Sequence, residues 1–165
     1  NKTRKSRIDL AYSLKRGSGR NMLKDYGYYR AVFGLLPVAA CIADSDVRIV
    51  CVNRALMRSF GLKEMKAPLL GGLALNCFRR TDDSRGCGYG RHCSHCIIRN
   101  SVKSAIDGRC EIRAEGKFTT CRGGAAKELT LRISASHIPY GTENTAVVTI
   151  EDVSILQEDA ANLPE

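Results

Sequence analysis

Four of the eight cysteines in this 165-residue chain fall within residues 75–99, spaced Cys77-x9-Cys87-x5-Cys93-x2-Cys96. Thiolates at that density are the usual means of holding a soft metal ion or an iron–sulfur cluster. The Cys93–Cys96 pair is the sharpest part. Two intervening residues let both sulfurs turn to one centre, on a tight turn or on one face of a first helical turn. Cys87 stands between Gly86 and Gly88, and glycine beside a ligand cysteine lets the backbone fold closely round sulfur and aim N–H groups at it. Two other readings stand beside this one: a redox pair or disulfide among the four, and plain thiols acting as small core hydrophobes. Only one C-x2-C pair is present, where a two-knuckle site has two. His92 and His95 lie in the same stretch. Each is a candidate to replace one cysteine as ligand, against the simpler reading of a solvated loop histidine.

Apolar content of 44% is that of an ordinary globular protein, and the length suits one domain with helical extensions. No run approaches the ~20 apolar residues of a membrane span, and no signal-peptide core is present. The chain starts at Asn1 rather than methionine, as a piece of a larger protein would. Clustered cysteines, unlike an evenly spread disulfide framework, favour metal or redox use in a reducing compartment. The net charge of +9 is uneven: residues 1–30 carry nine Lys and Arg against Asp9 and Asp25, leaving +2 for the remainder. A basic arm of this kind fits nucleic acid, an anionic membrane surface, the inner flank of a preceding membrane helix, or a solvated linker helix. Nucleic acid fits worst, because the arm is remote in sequence from the cysteine stretch and that stretch has few aromatics for stacking.

Positioning these residues needs a scaffold. Residues 1–16 read as a weakly amphipathic helix broken at Gly17-Ser18-Gly19. A second helix runs from Asn21, an expected N-cap, to Phe33, with Met22, Tyr26, Tyr29 and Phe33 forming a seam for core packing, dimerisation or both. After Leu36-Pro37 come a strand over Val38–Ala43, an acidic turn at Asp44-Ser45-Asp46, and an alternating strand over Arg48–Asn53. Cys41 and Cys51 read as buried thiols inside these strands. Asn53 is expected to cap a helix over Arg54–Phe60 that ends at Gly61.

The string YYRAVFGLLPVAACIADSDVRIVCVNRALMRSFGL resembles the opening of a PAS sensory domain: an amphipathic helix, the junction Phe33-Gly34-Leu35-Leu36-Pro37, a hairpin with an acidic turn, and an asparagine that starts the next helix. The resemblance covers residues 28–157. It implies an α+β PAS fold, an antiparallel five-stranded sheet with helices on one face and an N-terminal flanking helix. Its long helix falls over Ser101–Asp107 and its last three strands over Arg109–Thr119, Lys127–Tyr140 and Thr145–Val153. Glu151-Asp152-Val153-Ser154 resembles the junction at which such domains pass into a signalling helix. Asn76-Cys77, Gly86-Cys87-Gly88 and Cys93-Ser-His-Cys96 are similar to the cysteine-rich insert of a bacterial PAS subset.

The resemblance implies a sensor rather than an enzyme, and no catalytic triad, paired acid set or phosphate loop argues otherwise. Asn76-Cys77-Phe78-Arg79 also resembles the flavin-adduct motif of light-sensing relatives. Those relatives hold the flavin ring with amide side chains on the last strands, and Leu129–Ser134 and Thr145–Ile150 contain no asparagine or glutamine, so no flavin is expected. No haem is expected either, since Ile97–Gly108 has no histidine and Ile97 follows Cys96 where a C-x-x-C-H attachment needs histidine. The expected cofactor is therefore zinc or an iron–sulfur cluster on Cys77, Cys87, Cys93 and Cys96, with Arg85, Arg91 and Arg99 offsetting thiolate charge. The alternative is a small-molecule or dimerisation module with structural zinc or free thiols. Cys110 and Cys121 read as edge thiols, with a cross-turn pair as the other option, and His137 as a single packed or exposed histidine. The expected layout is a basic extension over 1–27, the PAS domain over 28–157 with its insert over 75–99, and a signalling linker beginning at 158–165. A homodimer through the N-terminal helix, an output domain in the same polypeptide and a bacterial cytoplasmic setting complete the expectation.

Overall fold

The computed structural model describes residues 19–64, 68–109, 111–122, 124–140 and 143–155. The expected helix over 1–16, Cys110 and the linker over 158–165 lie outside them. Helix α1 (Gly19–Leu35) leads into strands β1 (Ala39–Asp44) and β2 (Arg48–Val52), helix α2 (Arg54–Phe60), a two-residue strand β3 (Leu69–Leu70) and a single-turn helix α3 (Gly71–Ala74). A long loop with one 3-10 turn (Cys93–His95) then reaches helix α4 (Ile97–Ile106) and strands β4 (Glu111–Arg122), β5 (Ala125–Tyr140) and β6 (Glu143–Asp152).

The strands form one antiparallel sheet in the order β3-β2-β1-β6-β5-β4. This is a PAS-like α+β arrangement with six strands among the described residues, not the five expected. The sixth is β3, an edge strand that pairs Leu69 and Leu70 with Ile49 and Arg48; two residues are too few to leave an alternating pattern in the sequence. The core lies on the face covered by α4 and α2. It alternates along the strands as Cys41 and Ala43 on β1, Leu129, Leu131, Ile133 and Ala135 on β5, and Ala146, Val148 and Ile150 on β6, closed by Leu56, Phe60, Ile98 and Val102.

Asn53 ties the hairpin to α2. It is buried; its side-chain oxygen accepts the Ala40 N–H at 3.0 Å and the Leu56 N–H at 2.9 Å, and its Nδ2 donates to the Val38 carbonyl at 2.7 Å and the Leu36 carbonyl at 3.3 Å. Gly61 ends α2 in the left-handed conformation.

Two local expectations are corrected, the Asn21 cap and the burial of Cys51. Asn21 lies inside α1, not at its cap; a single Gly19 costs a helix only ~1 kcal/mol and does not stop it. In the seam, Tyr29 is 48% exposed and Phe33 only partly buried, while Tyr28, Val32 and Leu35 are also exposed; the side chains of Met22 and Tyr26 lie outside the described residues. Cys41 is fully buried as expected, but Cys51 is exposed. The β1–β2 register slips between Ile42 and Ala43, which pair with Cys51 and Ile49. The extra residue, Val50, is a bulge that reverses the alternation and turns Cys51 away from the core.

Candidate functional site

The stretch from α3 to α4 packs over one end of β4 and encloses a cavity of about 220 Å³ between itself and the sheet. Cys77, Cys87, Cys93 and Cys96 all line it, together with His92 and His95. The structure therefore brings the four sequence-predicted cysteines to one place. Among the described residues, no three His, Cys, Asp or Glu side chains stand together as a metal-holding group. The four thiols share a cavity without converging on one point.

Each thiol is fixed by a different local device. Cys77 follows Asn76, whose left-handed backbone (φ +49) turns the chain onto β4. Asn76 Nδ2 donates to the Phe60 carbonyl at 2.8 Å, and the Asn76 carbonyl accepts the Cys121 N–H at 2.7 Å and the Thr120 hydroxyl at 3.2 Å. The Phe78 N–H donates to the Thr119 carbonyl at 2.9 Å, so Cys77 bridges to Thr120 as a short extension of the sheet. Cys87 lies against Gly72, where a Cβ would stand 2.8 Å from the Cys87 Cβ and 2.9 Å from its Sγ. The Gly88 N–H donates to Cys93 Sγ at 3.3 Å, from a backbone (φ +106) that favours glycine. Cys96 stands at the N-terminus of α4.

Burial raises the proton affinity of Cys77, Cys87 and Cys96. It pushes Cys77 up to about 11, opposed by the Arg79 N–H and reinforced by the Cys96, Cys87 and Cys93 thiols. Burial also raises Cys87, against the Gly72 N–H and the Arg99 guanidinium. Cys96 is raised by burial as well, against the Arg99 and Ile98 N–H groups and the Arg99 side chain. Ionising any one of these thiols is opposed by its neighbours, as it must be for groups that share one cavity.

The charges expected round the site are partly different residues. Arg99 lines the cavity as expected. Arg85 does not: it binds Asp83 through two hydrogen bonds of 3.0 Å and lies 4.5 Å over the Tyr89 ring, and it holds the Asp83 carboxyl down at about 2. Arg91 donates to His92 Nε2 at 3.0 Å, so that histidine nitrogen is an acceptor, and desolvation with Arg79 and Arg91 nearby lowers His92. Sequence reasoning missed Arg79, Lys117, Glu128 and Val47, all of which line the cavity. The Lys117–Glu128 pair spans β4 and β5 at 3.3 Å, and sequence signals for such cross-strand pairs require the register first. Val47 is buried with φ +62 at the hairpin turn, a rare conformation for a β-branched residue, and nothing in its sequence context announces it. Cys121 is a partly buried free thiol and His137 is exposed.

The predicted C-terminal junction is a hydrogen-bonded knot. Asp152 Oδ1 accepts the Ser154 N–H at 3.1 Å and its hydroxyl at 2.6 Å. Ser154 Oγ accepts the Thr130 N–H at 2.9 Å, and the Val153 N–H donates to the Thr130 carbonyl at 2.9 Å. Thr130 pairs with Lys117 of the cavity wall.

No protein-family model and no curated protein matches the chain. Solved structures do. An RNA-binding light-oxygen-voltage receptor is 19% identical with a TM-score of 0.51, matched over 90% of this chain and 40% of that one. A point variant of RsLOV is 17% identical with a TM-score of 0.50, over 84% and 74%. The PAS domain of an HTR-like protein from Haloarcula marismortui is 12% identical with a TM-score of 0.49, over 81% and 95%. At these identities the first two likenesses show a shared fold alone. Among the described residues no helix is long and apolar enough to cross a membrane.

Proposed function

We propose that this chain is the PAS-type sensory module of a bacterial signalling protein, and that its input site is the four-thiol cavity. The observation that carries the reading is that Cys77, Cys87, Cys93 and Cys96, supplied by four separate local devices, all line one cavity between insert and sheet. The donor set fits a soft centre in kind, zinc or an iron–sulfur cluster, which would supply either a structural clamp or a redox-responsive group. In position the sulfurs are open, so holding such a centre draws the insert inward, and the left-handed glycines Gly86 (φ +90) and Gly88 are the points at which the loop turns.

Movement of the insert reaches the sheet directly. Cys77 is stitched to β4 through Asn76, Phe78 and Thr120. From the cavity wall the ladder runs Lys117 to Thr130, and Thr130 holds Val153 and Ser154. An output domain joined after residue 155 would receive the change there. Cysteine-centred sensing fits a reducing, cytoplasmic setting. A dimer through α1 is the assembly favoured by its exposed Tyr28, Val32 and Leu35.

The alternative, a small-molecule-binding module with free thiols, is favoured by one feature: much of the cavity lining is apolar, from Val47, Leu75, Ile98 and Phe118. A flavin is not favoured, because among the described residues no asparagine or glutamine lines the cavity. Metal analysis of protein purified without oxygen, with its visible spectrum, separates these readings. Stoichiometric iron or zinc lost on Cys93→Ser supports the thiolate centre; a metal-free protein supports the alternative.

A further inference from the structure

The cavity holds more cationic side chains than carboxylates, and one of them, Arg99, also acts on the Cys87 and Cys96 thiols. Arg79, Arg99 and Lys117 line it against a single carboxylate, Glu128. Glu128 is taken by Lys117 at 3.3 Å. Among the described residues no carboxylate pairs with Arg79 or Arg99. Arg99 is partly buried, its guanidinium resting in the space left by the missing side chain of Gly88, whereas Arg79 is exposed. The rest of the lining is mainly apolar: Val47, Leu75, Ile98 and Phe118 are each more than nine-tenths buried. Guanidinium groups without a carboxylate partner, beside an apolar wall, suit an anionic head on a short hydrocarbon body, and a carboxylate is the planar head their fork matches.

We propose that this cavity binds a small amphipathic carboxylate, its head held by Arg79 and Arg99 and its body packed on Val47, Leu75, Ile98 and Phe118. The inference rests on the reading of this cavity as the input site and gives that site a ligand class. Guanidinium suits the head because its planar fork matches a carboxylate with two parallel hydrogen bonds. The cavity's size sets an upper limit on the body: about 220 Å³ is below the ~300–1,000 Å³ of pockets for drug-sized ligands.

Isothermal calorimetry with benzoate and its neutral isostere benzamide tests this on the full chain, purified without oxygen. Benzoate is expected to saturate a single site and to bind roughly tenfold or more tightly than benzamide, the effect of one charge-assisted hydrogen bond. Arg99→Gln and Arg79→Gln each weaken benzoate by about the same factor. Arg99→Lys restores part of the loss, and Arg48→Gln, exposed on β2 and outside the cavity lining, changes nothing. Equal binding of benzoate and benzamide, no saturable benzoate binding, or indifference to both arginine substitutions overturns the proposal. Iron and zinc are measured on the same sample. Benzoate binding to metal-free protein leaves the carboxylate site standing and removes the metal centre; stoichiometric metal without benzoate binding does the reverse.

Discussion

Gly72 and Cys87 are in backbone-to-side-chain contact so close that a Cβ on Gly72 would stand 2.8 Å from the Cys87 Cβ. The residue that opens space for the thiol belongs to α3, and the thiol belongs to the loop fifteen positions later. Gly72 is itself buried, so neither side can give way cheaply.

Gly72→Ala is therefore expected to push Cys87 out of its position and loosen the insert. Overpacking at a buried site of this kind costs about 1–3 kcal/mol, and any centre held by the four cysteines is lost or weakened. Thermal unfolding and metal content of the variant check both parts. Unchanged metal content and melting temperature would show that Cys87 is free to move and is not a fixed member of the site.

Asn53→Ala removes four hydrogen bonds at once and leaves the Ala40 N–H without its acceptor inside the fold. A loss of about 2–4 kcal/mol is expected in urea unfolding. A change below ~0.5 kcal/mol, the scale of an ordinary surface substitution, would mean that water replaces the side chain and that the hairpin–helix joint is not held as described.

Buried Cys41 predicts how stability depends on alkaline pH. Burial pushes its thiol up from 9.0 to about 12 in the folded chain. Between those values the unfolded chain has released the proton and the folded chain keeps it, so stability is full below about pH 9 and falls as pH rises toward 12. Cys41→Ala should flatten this part of the curve while lowering stability at neutral pH through lost packing. Equal alkaline slopes for the two proteins in unfolding titrations would rule out Cys41 as the source.

Much of this fold is legible in the sequence because local chemistry and long-range structure agree. Asn53 and Gly61 cap α2 as their types predict, and Phe33 through Pro37 lead from α1 toward β1. Asp44 closes the hairpin turn by accepting the Asp46 and Arg48 N–H groups. The four cysteines are legible as a group because their spacing is local. What is not legible depends on register or on space. The Val50 bulge that exposes Cys51, the pairing of Lys117 with Glu128, and the left-handed Val47 follow from which strands meet and where. Arg85 is the instructive error. Its place two residues before Cys87 suggests a counter-charge for thiolate, but Asp83, equally near along the loop and a ready carboxylate, takes it in two hydrogen bonds.

Ser154→Ala should uncouple the C-terminal junction from β5. It leaves the Thr130 N–H without the acceptor it has at 2.9 Å, a loss of about 1–2 kcal/mol. Faster amide exchange at Thr130 and Val153 is expected, with the cavity end of β4 unaffected in the absence of a signal. Identical exchange in variant and parent would break the proposed link between cavity and output.

The central claim is that Cys77, Cys87, Cys93 and Cys96 act as one site. Its most direct test is the visible spectrum of protein purified without oxygen, with iron and zinc measured on the same sample and on Cys→Ser variants at each of the four positions. The account predicts a stoichiometric soft metal, brown with broad absorption near ~400 nm if an iron–sulfur cluster and colourless if zinc, lost or sharply reduced in every one of the four variants. Metal-free parent protein, or metal content indifferent to two or more of the four substitutions, would contradict it.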